Sequence, residues 1–172
     1  MKNKIALLTS SQGKNTQKVG MILSEMLADD FKIDQIDIDQ SDGIGIKDYP
    51  FLIMGASTWF DGELPYYWDE FLPSIEDCDF SDTKVAIFGL GDSKRYPDNF
   101  CDAIGLLAKW FEKHGATIIG SVHIDDYHFE TAFYTDDHRF KGLPVEYLVD
   151  NTEWEERIAN WKQQIVEEFN EL

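Results

Sequence analysis

The feature that most restricts the fold is an alternation along the chain. Short apolar or β-branched runs at 4–9, 32–38, 51–56, 84–89 and 117–124 are separated by segments with apolar residues at helical spacing, 16–27, 66–75, 99–113 and 153–169. Runs that stay apolar on consecutive positions suit strands buried on both faces, and a sheet buried on both faces is a parallel one covered by helices. The last helical segment shows its period plainly. Trp154, Ile158, Trp161, Ile165 and Phe169 recur at steps of three and four along an otherwise acidic stretch. The expectation is an α/β three-layer sandwich, a five-stranded parallel sheet with helices on both faces, formed as one domain over residues 1–172. Residues 125–141 break the rhythm. They are polar, aromatic and charged, include Asp125, Asp126, Asp136 and Asp137, and have no helical period. They read as an insertion that interrupts the last strand, which resumes within 142–149. The insertion reads as a solvated loop, with partner docking as the other possibility.

Charge narrows the partners. Fifteen basic against 33 acidic residues give a net charge of −18, a field that repels nucleic acid and anionic membrane and attracts basic protein surfaces. The start MKNKIALLTS has too short an apolar run for a secretion signal, and no stretch has the length of a membrane span. Cys78 and Cys101 form neither a metal motif nor a disulfide framework, and His114, His123, His128 and His138 lack ligand spacing, so a reduced, cytoplasmic protein without a metal site is expected.

In an open parallel sheet, ligands sit beyond the carboxyl ends of the strands, so the loops after strands 1, 3 and 4 are read together. The first, Ser10, Ser11, Gln12, Gly13, Lys14, Asn15 and Thr16, offers hydroxyls and backbone N–H groups where a helix begins, a setting that favours a phosphate. The spacing of a nucleotide-triphosphate loop, G-x-x-x-x-G-K-[ST], is absent. Helix capping by Ser11 or Asn15 would use the same residues. The second loop, Ser57, Thr58, Trp59, Phe60, Asp61 and Gly62, places an indole where it can stack on a flat ring, or where it can simply cap the core. The third runs from Gly89, Leu90, Gly91 and Asp92 to Tyr96 and Asn99, two glycines permitting close backbone approach and a second aromatic at the same edge. An ordinary glycine-rich turn would look alike. Together the three loops suit a phosphorylated ligand with a flat ring held between two aromatics.

These same residues carry a family likeness. The segments STWFDGELPYYWDEFLPSIEDCDFSDTKVAIFGLGD and GLGDSKRYPDNFCDAIGLL resemble the flavodoxins, small FMN-carrying electron-transfer proteins, and the likeness extends over nearly the whole chain. The insertion, with DDYHFE near its start, resembles that of the long-chain subgroup. The resemblance implies sheet order 2-1-3-4-5 with FMN at the switch point, as known for flavodoxins. It implies that Ser10 to Thr16 cradle the FMN phosphate with help from Thr58. Trp59 and Tyr96 would cover the two faces of the isoalloxazine, and the backbone of Phe60, Asp61 and Gly62 would lie near flavin N5. Gly91, Asp92 and Cys101 would present main-chain groups to the pyrimidine edge, Cys101 through its N–H and not its thiol.

The chain departs from the family's pattern in places. The usual phosphate loop is S/T-x-T-G-N-T. Without a gap, SQGKNT sets Gly13 where threonine is expected and Lys14 where glycine is expected, and a lysine forced to positive φ would cost about 1 kcal/mol. If Ser10 starts the loop and Gly13 keeps its role, SSQGKNT is one residue longer, and that version is preferred. Ser57 stands where proline is common. The pair beside flavin N5 would be Phe60-Asp61, without the glycine that eases a peptide flip, so the half-reduced flavin should be less stabilised. Lys94 and Arg95 near the ring should favour the fully reduced anion. The expected result is a second couple less negative than the family norm and a narrow gap between couples.

The function implied is a low-potential, one-electron carrier. It would be monomeric and not an enzyme, meeting a basic-faced reductase and acceptor enzymes transiently. Two other functions are open to such a chain: an NAD(P)H-dependent quinone or flavin reductase, and a flavodoxin-like binding module without FMN.

Overall fold

The computed structural model describes residues 2–133, 137–149 and 153–171; Asp136, counted above in the insertion, lies outside them. The first half of the described chain runs β1 (Lys4–Thr9), α1 (Lys14–Leu27), β2 (Lys32–Asp37), β3 (Phe51–Ser57), α2 (Tyr66–Phe71) and β4 (Lys84–Leu90). It continues with α3 (Asp102–Lys113), β5 (Thr117–Ile119), β6 (Val122–His123), β7 (Arg139–Phe140), β8 (Leu143–Val145) and α4 (Trp154–Asn170). The main sheet has the order β2-β1-β3-β4-β5, every pair parallel. That is the order the family resemblance implied.

Period-two alternation sorts the strand residues between two cores. Ile5, Leu7, Phe51, Ile53, Ala86 and Phe88 face α1 and α4, where they meet Val19, Leu23, Leu27, Ile158, Trp161 and Ile165. Their neighbours Ala6, Leu8, Leu52, Met54, Val85 and Ile87 face α2 and α3, against Trp68, Phe71, Ile104, Leu107 and Phe111. The continuous apolar runs are therefore strands buried on both sides. β2, at the edge, is only partly covered, and its charged residues keep that edge from pairing further.

The expected strand at 117–124 is shorter in the structure. β5 stops at Ile119 because Gly120 turns the chain at φ 79°. Both backbone groups of Gly120 are bonded away from the sheet: its N–H donates to Glu168 Oε2 (2.6 Å) and its carbonyl accepts from Trp161 Nε1 (2.7 Å). β6 and β7 then pair antiparallel at the neck of the insertion. β8 returns to the same edge of β4, pairing at Phe88–Leu90 where β5 pairs at Lys84–Ala86. The last strand position is filled in two pieces, as an interrupted strand requires. The resumed piece covers Leu143–Val145 and not all of 142–149. Helix α3 also starts later than expected. Pro97–Asn99 form a separate 3₁₀ turn, and Cys101 at φ 54° breaks the backbone before Asp102.

Most described residues of the insertion are exposed, as a solvated loop requires, but its aromatic anchors are not. Tyr127 and Phe140 are buried and cluster with Phe100 and Phe129. The Tyr127 hydroxyl donates to the Pro144 carbonyl (2.8 Å), and the Arg157 guanidinium lies 4.2 Å from the centre of its ring. No helix among the described residues is long and apolar enough to cross a membrane.

Helix α4 is held at its C-terminus by one side chain. Lys84 Nζ donates to the carbonyls of Glu168 (2.7 Å), Phe169 (3.2 Å) and Glu171 (2.6 Å), where the helix dipole favours a cation. Lys84→Ala is expected to lower stability by about 1–2 kcal/mol. In urea unfolding this should appear as a lower midpoint with an unchanged slope.

Candidate functional site

The carboxyl ends of β1, β3 and β4 lie side by side, and the loops after them enclose two connected spaces. The larger, about 570 Å³, is lined by Trp59, Phe60 and Asp61 on one side and by Arg95, Tyr96, Asn99 and Cys101 on the other. The smaller, about 310 Å³, opens at the start of α1 and is lined by Gly13, Lys14, Asn15, Thr16 and Ser57, with Tyr147 across from them. Thr58, Leu90, Gly91, Asp92 and Tyr96 line both, so the two are continuous. Both sizes are ordinary for ligand sites. A flat ring fits the aromatic space, and an anion suits the helix N-terminus.

The loop from Ser10 to Thr16 divides in two. Its first half is turned to a carboxylate that the sequence reading did not single out. Asp39 Oδ2 accepts from Ser10 Oγ (2.6 Å), Ser11 Oγ (3.0 Å) and Gln12 N (3.3 Å), and Asp39 Oδ1 accepts from Gln12 Nε2 (3.1 Å). Asp37 Oδ1 accepts from Ser11 N (3.0 Å) and Asp39 N (3.1 Å). The second half, Gly13 to Thr16, lines the cleft. Capping of α1 by Ser11 or Asn15 is not what forms. The N-cap is Gly13 with no side-chain cap bond, so the first-turn N–H groups stay open to an outside acceptor. The strain that the ungapped alignment would put on Lys14 is absent. Gly13 has φ −91°, and Lys14 is not among the positive-φ residues.

The turn after β3 is closed by two bonds between Trp59 and Glu63, N–H to carbonyl in each direction (2.9 and 2.8 Å). Phe60 at its tip has φ 45° and is 81 % exposed. That backbone costs a non-glycine residue about 1 kcal/mol, strain of a kind that gathers at ligand sites. Gly62 does not line the cavity; its place is fixed from behind. At φ 89°, a Cβ there would lie 2.6 Å from Asp102 Oδ2. Asp102 is buried, which pushes its carboxyl up, although Phe133 N donates to Oδ1 (2.6 Å). Asn99, its amide oriented by its partners, donates to Oδ2 (3.2 Å). One carboxylate thus joins the Asn99 loop to the insertion and fills the space where a side chain at residue 62 would stand.

In the third loop, Asp92 Oδ1 accepts from the N–H groups of Lys94 and Arg95 (3.0 Å each). Arg95 lines the cavity with its Nε 3.9 Å from Asp92 Oδ2, whereas Lys94 does not line it. Only one of the two expected cations therefore faces the ring space, and a carboxylate partly offsets it. Gly89 lies inside β4, and its carbonyl takes the Cys101 thiol (3.5 Å). Burial pushes that thiol well up, so it is no thiolate nucleophile at neutral pH. Ser93 donates through N and Oγ to Glu146 Oε1 (3.1 and 2.6 Å), tying this loop to the chain beyond β8.

Asp37, Asp39 and Tyr147 went unnoticed in the sequence. Tyr147 carried no signal. The two aspartates follow from sheet order: with β2 beside β1, the end of β2 must lie against the loop after β1.

Burial pushes the Asp39 carboxyl up, but the bonds from Ser10, Ser11 and Gln12 outweigh it and hold the group below its ordinary value. A depressed carboxylate contributes stability above its unfolded-state value and loses it as pH falls through the folded value. The network is expected to persist at neutral pH and to open only below the usual aspartate range. An NMR titration following the Ser11 and Gln12 amides checks this, and a midpoint at or above the ordinary value would count against it.

The flavodoxin family model matches residues 7–138. The chain is 36 % identical over 166 residues to a flavodoxin of Haemophilus influenzae, covering 96 % of this chain and 95 % of that one. It is also 36 % identical over 157 residues to flavodoxin 1 of Escherichia coli K12, with 91 % and 89 % covered. Its fold is similar to that of a Fusobacterium nucleatum flavodoxin crystallised with flavin mononucleotide: TM-score 0.88, 24 % identity, 97 % of this chain and 99 % of that chain covered. With its strand order, its joined clefts and these relatives, the chain belongs to the flavodoxin family.

Proposed function

We propose that this chain binds FMN and carries single electrons between a reductase and acceptor enzymes. The observation that carries the reading is the continuity of the two clefts: a ring-sized space between Trp59 and Tyr96 opens into an anion site at the uncapped start of α1. The isoalloxazine ring supplies the chemistry, taking up and releasing electrons one at a time. The protein's part is to hold, enclose and tune it.

The N–H groups of Lys14, Asn15 and Thr16 and the hydroxyls of Ser57 and Thr58 are the phosphate donors of this reading. Trp59 and Tyr96 enclose the ring. Phe60 and Asp61 present backbone along one edge, their turn set from behind by Gly62; Gly91, Asp92 and Cys101 present it along another. Ser10, Ser11 and Gln12 act behind the phosphate, through Asp39. Tyr96 is 65 % exposed, which leaves the ring edge within reach of a partner. The net charge of −18 favours basic-faced partners and brief, salt-sensitive encounters. A cytoplasmic monomer of one domain, of the long-chain subgroup, completes the reading.

The test is uptake of flavin by the apoprotein. Added FMN should give flavin absorption that survives gel filtration, and its reduction by a basic reductase should slow as salt is raised. A protein that stays colourless with excess FMN would refute the carrier function. Arg95 should make the second couple less negative, but it is exposed and faces Asp92. Arg95→Ala is expected to shift that couple to more negative potential by at most a few tens of millivolts, read by potentiometric titration.

A further inference from the structure

Of the two pieces that fill the last strand position, only the second reaches the ligand edge. β5 pairs with Lys84–Ala86, whereas β8 sets Leu143 against Phe88, Pro144 against Gly89 and Val145 against Leu90. β8 therefore ends level with β4, and the chain that follows it leaves the sheet beside the loop that begins at Gly91. Two tethers hold these exits together. Gly91 N donates to the Val145 carbonyl (3.2 Å), and Ser93 donates to Glu146. A fourth strand end thus joins the three that bound the site, at the edge where open parallel sheets bind ligands.

The exit from β8 is a tight turn. Val149 N donates to the Glu146 carbonyl (3.2 Å), and Leu148, the third residue of the turn, has φ 68°. A leucine held in the left-handed region is strain of the kind that gathers at ligand sites. Tyr147 takes the turn's second position and stands in the wall of the smaller cleft, across from Gly13 to Thr16. The residue is half-buried. Its ring packs against the core shared by α1 and α4 and meets Trp154 edge-on, centroids 5.1 Å apart. Its hydroxyl has no hydrogen-bond partner among the described residues. A tyrosine packed along its body keeps its polar tip for the open space beside it. That space is the cleft at the uncapped first turn of α1.

We propose that Tyr147 closes the phosphate site opposite α1, with its hydroxyl donating to the cofactor's phosphate. The proposal rests on the FMN-binding reading above and deepens it by assigning a residue that discriminates phosphorylated from unphosphorylated flavin. Helix α1 supplies backbone N–H groups from one side, and the turn after β8 supplies a side-chain donor from the other. Asp39 engages the hydroxyls of Ser10 and Ser11, so a donor from across the cleft takes a place that the first half of the loop leaves unfilled. The break in the last strand is what brings Tyr147 to this edge.

The experiment compares FMN and riboflavin binding to the apoprotein by flavin fluorescence quenching, for the wild type and Tyr147→Phe. Inorganic phosphate serves as a competitor for FMN uptake. Tyr147→Phe keeps the ring and its packing against Trp154 and removes only the hydroxyl. It is expected to weaken FMN roughly tenfold, the scale of a hydrogen bond to a charged group. Riboflavin affinity should be unchanged, competition by phosphate should weaken, and the melting temperature of the apoprotein should not fall. Unchanged FMN affinity in Tyr147→Phe would overturn the proposal. Equal losses for FMN and riboflavin would overturn it too, because the hydroxyl would then serve the part of the ligand that the two share. Failure of the wild type to take up FMN would instead refute the reading on which it rests.

Discussion

The parallel pairing of β3 with β4 over seven residues, Phe51–Lys84 to Ser57–Leu90, is the constraint on which the rest depends. Both strands are buried on both faces, so a one-residue slip would turn every side chain into the opposite core, against residues it does not fit. The register therefore fixes where the strands end, and so where Thr58 and Gly91 begin their loops. β1 pairs on the other side of β3 and brings the start of α1 to the same edge. The site is a consequence of β3 and β4 ending level, with β1 ending about two residues short beside them, each held there by the two cores it separates.

Carboxylates organise the loops around this site more than cations do. Asp39 gathers Ser10, Ser11 and Gln12, Asp92 gathers the amides of Lys94 and Arg95, Asp102 joins the Asn99 loop to the insertion, and Glu146 holds Ser93. Each accepts several donors at once, which rigid loops need and which a single neutral side chain cannot supply. A strongly acidic chain thus uses part of its charge internally, while the remainder shapes the field its partners meet.

The insertion contributes to the same edge. The N–H groups of Glu130 and Thr131 donate to the Pro97 carbonyl (2.9 and 3.0 Å), Phe100 N donates to the Thr131 carbonyl (3.2 Å), and Thr131 Oγ1 bonds the Asp98 carbonyl. Phe100 joins the buried rings of Tyr127 and Phe140. A segment that reads as polar and irregular is therefore packed along one wall of the cleft. Its aromatic residues have no period to betray burial, because their partners come from distant parts of the chain.

The sequence alone determined the strand and helix segments, the two-sided sheet and the three loops that hold the site. Those follow from local periodicity and from the rule that parallel strands present ligands at their carboxyl ends. Family membership was legible in the same loops, because Trp59, Gly91 and Tyr96 lie in contiguous, distinctive segments. Tertiary structure alone decided which half of the Ser10–Thr16 loop faces the cleft, since that depends on Asp39, 29 residues from Ser10. It alone set Tyr147 across from the start of α1 and a single cation beside the ring space. Periodicity encodes which face of an element is buried; it carries no information about which distant polar atom a loop donor will meet.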